Sequence, residues 1–175
     1  MSKVDAQEGP ENLIYLNLGY TLNPLITGLI GGGYGFGFGV DFEKYITNYF
    51  TIGGSVGFMY STFDFEGSNL DFLSVDVIPQ WRLYPIGTAT KGFFLAAKTG
   101  YEFVLIKYKS VDAVSHIFKL APLLGYKFIF GDSFLLEISA GWEFDFGAIN
   151  LPSDINYKYN SNGFIFAIAF GWGWD

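Results

Sequence analysis

The run Phe164-Ile165-Phe166-Ala167-Ile168-Ala169-Phe170-Gly171-Trp172-Gly173-Trp174 alternates large apolar residues with Gly, Ala and a single Ile. A period of two sends successive side chains to opposite faces of a β-strand, so the segment predicts a strand with one greasy face and one thin face. Aromatics at both ends of the greasy face suit a strand with lipid on one side and a barrel interior on the other.

The same rule recurs in seven further runs, at 12–21, 31–43, 50–63, 71–84, 92–108, 116–129 and 134–146, which with 163–174 make eight. Each exceeds the 5–6 residues usual in soluble sheets and reaches the roughly 9–11 of a tilted membrane strand. Sorting by parity gives two consistent faces. Tyr34, Phe36, Phe38, Val40 and Phe42 oppose Gly33, Gly35, Gly37, Gly39 and Asp41. Leu73, Val75, Val77, Trp81 and Leu83 oppose Ser74, Asp76, Gln80 and Arg82, and Leu136, Ile138, Ala140, Trp142, Phe144 and Phe146 oppose Glu137, Ser139, Gly141, Glu143 and Asp145.

The chain is 50% hydrophobic and 21% aromatic but only 15% charged, where soluble domains carry about 25% charge. Its mean hydropathy is +0.29, yet no window offers the roughly 18 apolar residues of a spanning helix. Apolar content dispersed in alternation predicts an all-β fold, an eight-stranded antiparallel transmembrane up-and-down β-barrel. It occupies 12–175 as a single domain after a flexible segment at 1–11. The absence of cysteine excludes disulfides, metal–thiolate sites and a Cys nucleophile. A net charge of −7 without a basic stripe argues against nucleic acid. No catalytic, cofactor or metal-ligating set is read from these residues. Met1–Asn12 is polar and lacks the apolar core of a signal peptide. The chain is therefore expected to be a mature form whose signal has been removed.

Charges in mid-strand cannot face hydrocarbon, where Arg or Lys costs about 2–4 kcal/mol at the midplane. The thin face thus predicts an inward polar network of Asp41, Asp76, Arg82, Lys98, Glu102, Lys119, Lys127, Glu137, Glu143 and Asp145. An eight-stranded barrel is just wide enough for side chains to fill, which favours a plug of paired charges over a selectivity path. A narrow channel or hydrophobic-ligand conduit is the alternative.

Two aromatic bands are expected on the outer face, with Tyr84, Phe93, Phe128, Trp172 and Trp174 near the end carrying the short links 43–49, 85–91 and 130–133. Tyr60, Trp142 and Phe164 fall toward the other end. Such bands are the interfacial girdles of a membrane barrel. The links 64–70, 109–115 and 147–162 are more polar and are expected to be outer loops. In the last, Asn156, Tyr157, Lys158 and Tyr159 are candidates for binding an extracellular ligand. The 22–30 link is apolar for a loop. Pro79 and Pro122 fall inside predicted strands, where each removes a ladder donor, and are placed outward at bulges or early strand ends.

Two motifs carry little chemistry. His116, the one histidine, is expected at the start of the sixth strand near Ser110, Asp112 and Ser115, which would be the parts of a lipid-modifying Ser/His/acid set. No strand carries Ser and His together toward lipid, so a solvated rim histidine is preferred. Gly31–Gly39 repeats every second residue with no helix after it, unlike a dinucleotide loop.

The alternation, together with Ile78-Pro79-Gln80-Trp81-Arg82-Leu83-Tyr84-Pro85, Lys91-Gly92-Phe93-Phe94-Leu95 and Pro122-Leu123-Leu124-Gly125-Tyr126-Lys127-Phe128, resembles the small outer-membrane β-barrels of Gram-negative-type bacteria. The likeness is to the eight-stranded outer membrane protein X type and the barrel domain of outer membrane protein A. The resemblance implies location in the bacterial outer membrane and insertion by the outer-membrane assembly machinery, guided by alternating aromatics such as Phe170, Trp172 and Trp174. Asp175 departs from the family's aromatic terminal residue. The leading reading is a barrel embedded in the lipid bilayer with a charge-plugged interior and a structural or adhesive role, not an enzyme. A soluble lipocalin-like binding barrel would invert the two faces and is disfavoured by the few charges available for a soluble exterior.

Overall fold

The computed structural model describes residues 10–18, 33–65, 67–88, 91–109, 111–131, 133–150 and 156–175. The alternating runs form eight strands: β1 (Asn12–Asn17), β2 (Tyr34–Thr47), β3 (Phe50–Phe65), β4 (Ser68–Thr88), β5 (Lys91–Tyr108), β6 (Val111–Phe130), β7 (Phe134–Asn150) and β8 (Asn156–Trp174). Each pairs antiparallel with its sequence neighbours, and β1 also pairs with β8, so the sheet closes into a barrel. Of the segment expected to be flexible at 1–11, residues 1–9 lie outside the described residues, as does the 22–30 link, while Glu11 accepts a backbone hydrogen bond from Tyr45.

One path of register shows how the sheet closes. Leu16 pairs with Val40, then in turn Val56, Val77, Tyr101, Phe118, Phe146 and Asn160. Leu16 also pairs directly with Phe170 on β8. The circuit therefore returns ten residues away from its start on β8. Such a stagger tilts the strands, as closure of eight strands requires. Every residue on this path is exposed on the outer face.

Most strands are longer than the sequence alone suggests, but β1, expected over 12–21, is a strand only over the six residues Asn12–Asn17, short of the roughly 9–11 expected of every run. β4, β6 and β8 run to 21, 20 and 19 residues. The polar stretches expected as outer loops at 64–70, 109–115 and 147–162 are mostly strand: β3 runs to Phe65 and β4 starts at Ser68, β5 runs to Tyr108 and β6 starts at Val111, and β7 runs to Asn150 and β8 starts at Asn156. Gly67 and Lys109, which lie between the first two of these strand pairs, have positive φ. Asn, Asp and Ser mark a loop only when they interrupt the ladder; here they sit on strands whose pairing continues past the apolar stretch. Asn156–Tyr159 are accordingly strand residues paired with Asn150–Gly147, not loop residues, and their side chains lie outside the described residues.

Both mid-strand prolines point outward. The β4–β5 ladder skips the two positions between Val77↔Tyr101 and Gln80↔Lys98, and the β6–β7 ladder skips the two between Leu120↔Phe144 and Leu123↔Gly141. Register is kept across both gaps, so neither proline makes a bulge or ends its strand: each costs only local pairing on one side. The register shift in β4 falls instead between Leu83 and Ile86, around Pro85.

Candidate functional site

Parity sends the charged face inward, and the structure divides it into two networks and a pair. The first network centres on Glu43 of β2, which is fully buried. Its Oε2 accepts from Tyr15 Oη at 2.8 Å, Arg82 NH1 at 2.7 Å and Lys127 Nζ at 2.6 Å. Its Oε1 accepts from Thr51 Oγ1 at 2.6 Å and Tyr84 Oη at 2.8 Å. Five donors saturate a carboxylate with about four lone-pair sites. Lys127 also donates to Tyr84 Oη at 2.5 Å, so that hydroxyl accepts from the ammonium while it donates to the carboxylate. Arg82 bridges to Glu137 with NH1 and donates to Gln80 Oε1 from NH2 at 3.2 Å. Two cations and two carboxylates cancel formally within one sealed cluster.

Aromatic rings enclose this cluster. The Arg82 guanidinium lies 4.8 Å from the Phe94 ring centroid, and the Lys127 ammonium 5.2 Å from those of Tyr15 and Tyr84. Their quadrupoles offset part of the hydration the cations have lost. Tyr84, Phe94, Ala96 and Leu123 pack on one side and Leu13, Tyr15, Leu135 and Ala169 on another, filling the lumen toward the short-turn end. Gly125 makes room for this: a methyl group there would run into the Phe94 ring. Gly125→Ala is expected to destabilise the barrel by about 1–3 kcal/mol through overpacking, read as a lower urea midpoint.

In mid-lumen Lys98 faces Asp41 at 3.8 Å, and Asp41 accepts from Asn17 Nδ2 at 3.1 Å. Beyond them Lys119 is shared by three carboxylates, Glu102 and Glu143 at 3.0 Å and Asp145 at 3.6 Å. Asp76 stands opposite Glu102 in the β4–β5 register. Above this second network a cavity of about 410 Å³ is walled by Phe63, Phe72, Val104, Ile106 and Ile117, among others. The inward charges therefore do not form one continuous plug. The Glu43 cluster is buried and formally neutral, whereas the Lys119 cluster is acidic and borders open volume.

All ten inward charges expected from sequence face the lumen. Glu43, the hub, is not among those ten, although it lies two residues beyond Asp41 on the same face. Tyr84 corrects the girdle assignment: it is fully buried, on the parity of Arg82, and its hydroxyl belongs to the network. Aromatic character near a strand end suggests a girdle residue, but parity decides the side. The other seven, Tyr60, Phe93, Phe128, Trp142, Phe164, Trp172 and Trp174, share the outward parity of their strands.

His116 lies five residues into β6 rather than at its start, on the outer face. It contacts the Tyr101 hydroxyl and meets the Phe103 ring edge-on at 5.4 Å between centroids. Ser115 points inward, so the barrel wall separates serine from histidine and no Ser/His pair forms there. Neither a scan against protein-family models nor a search of curated proteins finds a match for this chain.

Proposed function

We propose that the chain is an integral outer-membrane β-barrel, closed to permeation by the Glu43–Arg82–Lys127–Glu137 cluster, with a structural or adhesive role. One observation carries the reading: the outward apolar belt is shorter than the strands that bear it. On β8 the outer face is polar at Asn160 and Asn162 and then apolar from Phe164 to Trp174, eleven residues of a strand of 19. On β4 it changes between Asp71 and Leu73 and stays apolar through Leu83 to Pro85, thirteen residues of a strand of 21. Belts of this length are enough for the roughly 9–11 tilted residues needed to cross hydrocarbon. Polar partners mark its far edge: Trp142 Nε1 donates to Asn162 Oδ1 at 3.2 Å, and Tyr60 Oη donates to Asp71 Oδ1 at 3.2 Å. Rings anchored this way suit a membrane–water boundary. A lipocalin-like barrel needs the opposite arrangement, with aromatics inside and charges outside.

An adhesive surface would be offered by the tall ends of β7 and β8 rather than by long loops. The buried cluster supports a sealed barrel over a channel, since passage through it would require separating Glu43 from Arg82 and Lys127. Planar-bilayer recordings of the refolded chain are expected to show no discrete conductance steps. Reproducible unitary steps would overturn the sealed-barrel reading.

A further inference from the structure

We infer that the cavity above Lys119 is a binding site for a small amphiphilic cation, an ammonium group on an apolar body. This goes beyond the membrane reading and does not depend on it, because the cavity and its charges are internal to the sheet.

Glu102, Glu143 and Asp145 share one ammonium, Lys119. Formal charge in the cluster is thus two units negative, in contrast to the neutral Glu43 cluster below it. Carboxylates out of bulk water need cations, and Lys119 meets only part of that need. Asp145 Oδ1 is 3.6 Å from Lys119 Nζ, beyond hydrogen-bond reach, and has no hydrogen-bond partner among the described residues.

Ser115 supplies an independent observation. It is 2% exposed, lines the cavity, and its Oγ has no hydrogen-bond partner among the described residues. A buried hydroxyl without a partner carries a desolvation cost that a bound N–H or hydroxyl would remove. Glu102, Lys119 and Asp145 line the same cavity. Its remaining wall is largely apolar, built by Phe63, Phe72, Val104, Ile106 and Ile117. Carboxylates at one side, an unpartnered hydroxyl and apolar walls in a volume of about 410 Å³ fit a ligand site of ordinary size. They select a cationic head with a hydrophobic tail: a neutral ligand would leave the excess carboxylate charge unmatched, and an anion would add to it.

The test uses three probes with one six-carbon body, n-hexylammonium, 1-hexanol and hexanoate, titrated into the refolded full chain in detergent micelles by calorimetry. Val104→Trp, which fills the cavity and keeps its charges, measures uptake by the micelle. Saturable hexylammonium binding is expected, about tenfold tighter than hexanol, and weakened about tenfold by Asp145→Asn and by Glu102→Gln. Val104→Trp should abolish it. Retention of the compact band on unheated gels checks that each variant is folded. Should either carboxylate variant fail to refold, the other and Val104→Trp decide the matter. Equal binding of hexanol, preference for hexanoate, insensitivity to the variants, or no saturable binding at millimolar concentration would each overturn the proposal.

Discussion

Glu43→Gln is expected to destabilise the barrel by about 3–5 kcal/mol, the largest effect of any single substitution considered for this chain. The change is nearly isosteric, so the loss comes from charge. With Glu43 neutral, Arg82 and Lys127 share Glu137 alone, leaving one buried positive charge unmatched among rings and aliphatic side chains. Tyr15, Tyr84 and Thr51 also lose a charged acceptor. Adding Lys127→Met should restore much of the loss, because it leaves Arg82 and Glu137 as a matched pair. The two substitutions should therefore couple by about 2 kcal/mol or more. Equilibrium urea unfolding of the vesicle-refolded protein measures both numbers. A Glu43→Gln midpoint equal to that of the parent chain would show that the cluster is not the keystone of the lumen.

The second large effect belongs to the outer face. Leu124 is 53% exposed on β6 and is paired with Leu95 and Ala140. It lies inside the apolar belt, with Phe118 six residues toward one end and Phe130 six toward the other. Leu124→Arg places a guanidinium where the account puts the bilayer centre, and is expected to cost about 2–4 kcal/mol in lipid vesicles. On a water-facing strand the same change would move stability by no more than about 0.5 kcal/mol. Arginine at Asn162, beyond the belt edge, should be close to neutral in both settings. Equal unfolding midpoints for Leu124→Arg and Asn162→Arg in vesicles would count against a lipid-facing belt.

Parity made the two faces legible from sequence, because a strand has no other way to place successive side chains. It fails where a second cue was allowed to outrank it. Tyr84 suggests a girdle ring by its chemistry and position, although it shares the face of Arg82. Glu43 stands at the last position of the 31–43 run, although it continues the inward face of Asp41. Strand length was hidden for another reason. Polar stretches such as Asn160-Ser161-Asn162 look the same in a loop and in a strand that rises beyond an apolar belt. Which charge meets which across the lumen is not written in any one strand. Glu43 reaches Arg82 and Lys127, 39 and 84 residues away, only because the closed sheet is staggered by ten residues. The division into a neutral, ring-packed cluster and an acidic one beneath a cavity follows from that stagger and from glycines such as Gly125 that admit large rings.

The four native tryptophans test the central claim, that the outer belt faces hydrocarbon. Trp81, Trp142, Trp172 and Trp174 all point outward, between 43% and 60% exposed. The measurement is their fluorescence in the chain refolded into vesicles containing lipids brominated on the acyl chains, with aqueous iodide as the opposing quencher. Strong quenching by the brominated lipids and weak quenching by iodide are expected. A protein retained as a folded barrel, yet quenched by iodide and indifferent to the brominated chains, would contradict it.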